Sequence, residues 1–267
     1  MSGYDLIGDI AIIKFDRDKT QKVKKDFALE FLKINKNIKT VLEKTDKIKG
    51  RLRIYTTKFL AGENKTETIH NENYCKLKLD ITKTYFSPRL SNERKIIAEE
   101  ISKRINSKKN KILIMFAGIA PFPIIIGRRL KIEGKKAEII SNEINKNACN
   151  YAKENVKLNK LEDYVKIVQC DAKKLPEKLK QKKLPEKFDF IMMARPNLKD
   201  TFLKTTLKLS KKGTIVYYHG FGTYKKVKNE IESEFKKLNI KTSKLEIRKA
   251  GDIAPKENRW CVKFSIR

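Results

Sequence analysis

Apolar positions along the chain follow two different patterns. Over residues 1–90 they come in short alternating or β-branched stretches, IAIIKF (10–15), LRIYTTKF (52–59), ETIH (67–70) and YCKLKLDI (74–81), which predict strands. Among them DFALEFLKI (26–34) predicts a helix, with Phe27, Leu29, Leu32 and Ile34 as apolar positions. That is an α+β unit. At FSPRLSNERK (86–95) the pattern changes. Pro88 favours an extended residue before it, Ser91 or Asn92 can cap a helix, and Ile97, Ala98, Ile101 and Ile105 follow at helical spacing.

From residue 111 strands and helices alternate. The predicted strands are KILIMF (111–116), AEIIS (137–141), YVKIVQC (164–170), FDFIMMA (188–194) and GTIVYYH (213–219), with helices near 122–133, 145–158, 199–209 and 224–238. Such alternation builds a parallel sheet covered on both faces. KTSKLEIRK (241–249) and WCVKFSIR (260–267) predict an antiparallel pair, and 173–187 reads as a Lys/Pro-rich connection. The expected architecture is α/β over residues 91–267, preceded by a smaller α+β domain over 1–90.

Charge narrows the class of partner. Lys and Arg number 63 against 32 Asp and Glu, a formal charge of +31 spread along the chain, from KVKKDF (22–27) to KKLPEKLKQKK (173–183). Heat-adapted chains also gain lysine, but they normally gain Glu with it. An unbalanced positive field of this size favours a polyanion such as nucleic acid. With 40% hydrophobic and 9% aromatic residues, disorder is excluded as the default. No apolar run approaches the roughly 18 residues of a membrane span, and MSGYDLIGDI lacks a signal-peptide pattern, so a cytoplasmic protein is expected. Cys75, Cys149, Cys170 and Cys261 are far apart, without CxxC spacing and with only two histidines; reduced thiols and no metal are expected.

Ligands of open α/β sheets bind at the carboxyl ends of the strands. There the first predicted strand of the larger unit enters MFAGIAPF (115–122), a small-residue turn in which Gly118 permits close backbone approach. Only one glycine is present, so the turn is no dinucleotide fingerprint. Glu143 ends the second strand, 25 residues beyond Gly118, where an acid can hold ribose hydroxyls. Asp171 ends the third, in CDA (170–172), and can accept from an adenine amine. Glycine turn, ribose acid and base acid together predict an S-adenosyl-L-methionine site.

These segments resemble a known family. MFAGIAPF, EINKNACNYAKENVKLNKL (143–161), CDA and YFSPRLSNER (85–94) resemble the tRNA guanine-37 N1-methyltransferases of archaea and eukaryotes, and YDLIGDIAII (4–13) and FLAGENKTETIHNEN (59–73) resemble that family's middle domain. The resemblance implies a class I (Rossmann-like) S-adenosylmethionine-dependent methyltransferase domain. It further implies transfer of a methyl group to N1 of guanosine 37 in the anticodon loop of tRNA. It carries over Glu93 as catalytic acid-base, Tyr85 as an active-site tyrosine and Arg53, with Arg51 as the alternative, as catalytic arginine. Cofactor contacts fall on Arg94, Phe116, Glu143, Ile144, Asp171 and Ala172, together with Ala117, Gly118 and Pro121 of the turn. Arg195 and Pro196 take the substrate-binding place.

The chemistry agrees with these roles. Methylation of a guanine ring nitrogen requires loss of its proton, which a carboxylate can accept if burial raises its pKa. The charge that develops on O6 suits a guanidinium. Three departures from the family pattern stand out. The chain is expected to lack the family's separate N-terminal domain, since Tyr4 already starts the middle domain; Ile114 and Ala120 occupy positions where the family has Asp and Gly; and Asn-Leu-Pro reads Ala194-Arg195-Pro196, leaving Arg195 to meet phosphate or ring oxygen. The last change resembles an archaeal subgroup that also methylates the tricyclic wyosine precursor, 4-demethylwyosine. Two alternatives stay open: an aminocarboxypropyl transferase of wyosine-type synthesis, and a non-catalytic basic RNA-binding module.

Overall fold

Three sheets organise the chain in a computed structural model, which describes residues 3–45, 54–106, 110–254 and 257–267. The first contains β1 (Tyr4–Ile7), β2 (Ile10–Ile13), β3 (Thr40–Lys44) and β4 (Thr57–Gly62), in that order across the sheet, with α1 (Gln21–Ile34) crossing between the parallel strands β2 and β3. Side-chain alternation gives the sheet two apolar faces. Ala11, Ile13, Val41 and Leu60 pack under α1, while Ile10, Ile12 and Leu42 join the main core. Strands β1 and β3 have no predicted counterpart: each spans only four or five residues, too few for a period to register.

Helix α1 starts five residues before its predicted position, where the Thr20 hydroxyl accepts from the Val23 N–H. Its buried stripe is Lys24, Ala28 and Phe31, whereas Leu29 and Ile34 are exposed. A lysine enters this stripe because its ammonium meets Glu43 on β3 at 2.6 Å. The predicted strand at 52–59 begins in residues outside the described set, and β4 starts only at Thr57.

A hairpin follows, β5 (Glu67–Glu72) and β6 (Cys75–Asp80). Its two-residue turn, Asn73-Tyr74, takes φ of +47° and +62°, as a primed turn requires. Beyond it the chain enters α2 (Ser91–Arg104) through a 3₁₀ turn at Pro88–Leu90, so neither Ser91 nor Asn92 is the cap.

The third sheet contains β7 (Lys111–Met115), β8 (Glu138–Glu143), β9 (Val165–Gln169), β10 (Phe188–Met193), β11 (Ser210–Gly222), β12 (Glu246–Ala254) and β13 (Glu257–Ser265). Its order is β12-β13-β11-β10-β7-β8-β9, and only β13 runs antiparallel to its neighbours. Between the strands run α3 (Pro121–Ile132), α4 (Lys146–Leu158), α5 (Leu175–Gln181), α6 (Leu203–Leu209) and α7 (Tyr224–Lys237). The supposed connection at 173–187 therefore contains a helix, with Leu175 and Leu179 buried one turn apart. Alternate residues of β7 face opposite layers, Ile112 and Ile114 toward the core that includes α2, α3 and α4, Leu113 and Met115 toward the one that includes α5, α6 and α7. Ile114 is thus a core residue. Strand order reverses between β7 and β10, which opens a crevice at their carboxyl ends.

The hairpin is fastened to this sheet layer by α4. Asn155 accepts from the Lys78 N–H at 2.6 Å and donates to the Lys78 carbonyl at 2.9 Å; Asn159, one turn on, does the same to Lys76 at 3.0 and 2.7 Å. Two amides on one helix face thereby satisfy two main-chain positions of β6.

Candidate active site

A cavity occupies the crevice. It is lined by Tyr85, Arg94, Phe116, Ala117, Gly118, Pro121, Glu143, Ile144, Ala172, Ala194, Arg195, Pro196, Phe202, His219 and Arg259, among others. Along the sheet edge these come from β8 and β7 at one end and from β10, β11 and β13 at the other.

At the first end Glu143 is oriented by main-chain amides. Its Oε2 accepts from the Gly118 N–H at 2.8 Å, and its Oε1 from the N–H groups of Ile144 and Asn145, each at 2.8 Å. The turn that supplies the Gly118 amide is wound through left-handed residues, Phe116 (φ +61°), Gly118 (+57°) and Ala120 (+67°). Gly118 relieves one of these positions, and a Cβ there would lie 3.4 Å from the Tyr85 carbonyl oxygen. Ala120 holds its left-handed conformation as the residue before α3, whose first residue is Pro121. Phe116 meets Phe202 edge to face at 4.9 Å, and with Ile144 and Ala172 forms apolar walls. An acid with a spare lone pair on Oε2, a glycine-supplied amide and a flat apolar slot fit an adenosine-type group. Asp171 is absent from this lining; one of its oxygens accepts from the Lys173 N–H at 2.9 Å and caps a 3₁₀ turn, while Cys170 and Ala172 on either side line the cavity.

Tyr85 and Arg94 come from the segment joining hairpin to sheet. Tyr85 faces the cavity with its other side stacked on Tyr55, centroids 6.3 Å apart at 22°. Arg94, fully buried, donates from Nε and Nη2 to Glu72 and from Nη2 to the Ser87 carbonyl. Its fork therefore fastens α2 to β5 and to the 85–90 segment, and offers the cavity little beyond its remaining nitrogen. Arg53 and Arg51 lie outside the described residues.

The other end is built from side chains of distant elements. Glu93, 3% exposed on the first turn of α2, receives a two-nitrogen contact from Arg248 of β12 and lies 3.3 Å from Nε2 of His219 on β11. Burial would raise its pKa, as the sequence suggests. The hydrogen bonds and charges of His219 and Arg248 outweigh burial, and the carboxyl is held below its usual value. Glu93 is thus an ionised, paired carboxylate, and His219, rather than Glu93, forms the cavity wall. Cys261, isolated in sequence, is the β13 partner of His219; its sulfur, a His219 nitrogen and a Glu93 oxygen lie within 4.8 Å of one another. Of the three, Glu93 is paired with the Arg248 guanidinium.

Arg195 departs from expectation. Far from being free to meet phosphate, it is 3% exposed. Nη1 donates to the Tyr218 hydroxyl at 2.6 Å, and Nη2 donates to the carbonyls of Leu198 and Asp200. It ties the loop between β10 and α6 to β11, and so sets Pro196 and Ala194 at the cavity wall. Sequence reasoning missed His219, Arg248 and Arg259. The position of His219 at the end of a predicted strand was the available signal; Arg248 sits in a predicted strand with no motif, and Arg259 lies one residue before the predicted strand 260–267.

Comparison with known proteins agrees with this geometry. A sequence model of the TRM5/TYW2 methyltransferase domain matches residues 68–248, and one of the TYW2 N-terminal domain matches residues 1–66. The chain belongs to the TRM5/TYW2 methyltransferase family. Within it, the chain is 32% identical to the tRNA (guanine(37)-N(1))-methyltransferase Trm5b of Pyrococcus abyssi, over 99% of this chain and 75% of that protein. It is 41% identical to the tRNA (guanine(37)-N(1))/4-demethylwyosine(37)-methyltransferase Taw22 of Nanoarchaeum equitans, over 59% of this chain and 48% of the relative. The crystal structure of Methanocaldococcus jannaschii Trm5 in complex with adenosine superposes with a TM-score of 0.79 at 29% identity, covering 100% of this chain and 74% of that one. The third sheet is thus the Rossmann-like sheet of a TRM5/TYW2 methyltransferase, and the cavity lies at its carboxyl edge. Among the described residues no helix is long and apolar enough to cross a membrane.

Proposed function

We propose that this protein transfers a methyl group from S-adenosyl-L-methionine to N1 of guanosine 37, in the anticodon loop of tRNA, in the cytoplasm. One observation carries the reading: in a TRM5/TYW2 chain, a single cavity joins the Glu143–Gly118 cradle to a buried, ionised Glu93 standing behind its opposite wall. The cofactor supplies a methyl group on a sulfonium sulfur, which departs as a neutral thioether. Glu143 holds the ribose hydroxyls, and Phe116, Ile144 and Ala172 enclose the adenine. Tyr85, backed by Tyr55, stacks on the target base. Guanine N1 has no lone pair free until its proton leaves, and the Glu93 charge favours that departure. Arg53 stabilises the charge that forms on O6. Residues 1–90 contact the RNA and residues 91–267 carry the transfer; the +31 charge attracts the phosphate backbone.

A second substrate, 4-demethylwyosine at the same position, is favoured by Ala194. An asparagine there would offer a donor and an acceptor to a purine edge, whereas alanine offers neither and leaves room for a tricyclic base. The test is nucleoside mass mapping of unmodified tRNA, and of tRNA bearing the tricyclic precursor, after reaction with labelled cofactor. Gain of one methyl group on guanosine 37 is expected, and on the precursor as well. An aminocarboxypropyl mass overturns methyl transfer, and tRNA binding without any product returns the chain to an RNA-binding module.

A further inference from the structure

We propose that Tyr74, at the tip of the β5–β6 hairpin, is a stacking platform for an unpaired base of the tRNA outside the methylated position. This contact rests on the methyl-transfer reading above and adds a second point of recognition on the same RNA. Tyr74 is 92% exposed, more than any other large hydrophobic side chain among the described residues. Among those residues its ring makes no aromatic contact, cation–π contact or hydrogen bond. Its backbone is nonetheless held in the left-handed region, at φ +62°, where a bulky residue is an outlier. A turn that had only to join β5 and β6 would be served by Asn-Gly without strain. Here tyrosine follows Asn73, and the fold gains no contact from its ring. What the ring stabilises lies outside the chain.

The turn around the ring is fixed on every side. Glu72 before it is buried and bound to Arg94, and Cys75 after it is buried as well. Asn73 Nδ2 donates to the Ser91 carbonyl at 3.0 Å and to the Ser91 hydroxyl at 3.2 Å. A ring presented from so rigid a turn has little freedom left to lose on binding. Ser91 begins α2 directly after Leu90, which lines the cavity, so one side-chain contact ties the hairpin tip to the segment that forms the cavity's wall. Exposed lysines accompany the tip: Lys76 lies two residues on in β6, and Lys95 lies one helical turn beyond Ser91. On a chain of charge +31, an exposed ring beside ammonium groups suits nucleic acid, whose phosphates meet the lysines while a base offers its π-face. The base must be an unpaired one, since only a splayed base presents a whole face to a side chain.

Tyr74→Gly in the full chain tests this, because glycine is the residue the turn favours and the fold is not put at risk. In urea unfolding the midpoint of the variant should equal or exceed that of wild type. A lower midpoint means that the ring serves the fold, and overturns the proposal. The dissociation constant for unmodified full-length tRNA, at fixed salt, should rise about 5- to 150-fold, the range for loss of one base–aromatic stack. A smaller rise overturns it. Tyr74→Phe keeps the π-face and should bind within about twofold of wild type, whereas a loss equal to that of Tyr74→Gly would assign the contact to the hydroxyl and overturn the stack. The slope of log affinity against log salt should be the same in all three proteins, since no phosphate contact is removed; a shallower slope in Tyr74→Gly is contradictory. Sedimentation without RNA addresses the other occupant: a wild-type dimer that Tyr74→Gly dissolves would give the ring to a second copy of the chain and overturn the proposal. A wild type that binds no tRNA contradicts the function reading itself, whereas tRNA binding that is indifferent to Tyr74 contradicts only this inference.

Discussion

The two ends of the cavity each centre on a glutamate, but they are built in opposite ways. Glu143 is held by three main-chain amides, two of them from the next two residues in the chain. Glu93 is held by side chains 126 and 155 residues away. The first arrangement is strand-to-turn geometry, and any chain entering that turn produces it. The second exists only once β11, β12 and α2 have packed together. Ligand affinity should follow the first end, and proton chemistry the second.

The largest effect should come from breaking the second end. Glu93→Gln preserves size and can still accept from His219, but it removes the charge. Single-turnover methyl transfer is expected to fall about 10²–10⁴-fold, while calorimetry shows cofactor affinity close to wild type. Equal losses of rate and affinity would erase the distinction between the ends.

Glu143→Ala attacks the first end. Cofactor affinity should weaken by roughly 1.5–3 kcal/mol, the range for hydrogen bonds to a charged group. The single-turnover rate at saturating cofactor should change far less than in Glu93→Gln. Calorimetry that reports unchanged affinity would remove Glu143 from the site.

That contrast also explains what was legible beforehand. The alternation from residue 111 onward yields the sheet, and MFAGIAPF and Glu143 yield the cradle, because each depends on local order along a strand. Glu93 was legible only through the YFSPRL resemblance; nothing local distinguishes it from an acid complementing a helix dipole. Its partners His219 and Arg248 were not legible, since their pairing is a product of strand order. Arg195 was misread for a related reason. A charged residue after a strand is exposed by default, and only the packing of the β10–α6 loop against Tyr218 shows that both of its Nη groups are already committed.

A smaller effect, on stability, should appear at Arg248. Arg248→Met leaves the Glu93 charge buried beside His219 alone. The arginine is a third exposed, so water screens the pair and the cost at pH 7 should be about 1–2 kcal/mol, below the range for fully buried pairs. The sign with pH is fixed. Glu93 has a pKa lower in the folded than in the unfolded chain, so its contribution is complete above the ordinary glutamate value of about 4.3 and is lost as pH falls through the folded value. Urea unfolding at pH 7 and pH 4 should therefore show the gap between variant and wild type narrowing in acid. A gap that widens in acid would mean that Arg248 does not stabilise the ionised form.

The most direct test of the central claim, that the Glu93 end removes the guanine N1 proton, is the pH dependence of single-turnover methylation in Glu93→Gln against wild type. Raising pH supplies guanine already deprotonated at N1, so the account predicts that the variant gains on the wild type steadily as pH rises. A constant ratio of the two rates across the range, or a variant as fast as wild type at neutral pH, would contradict it.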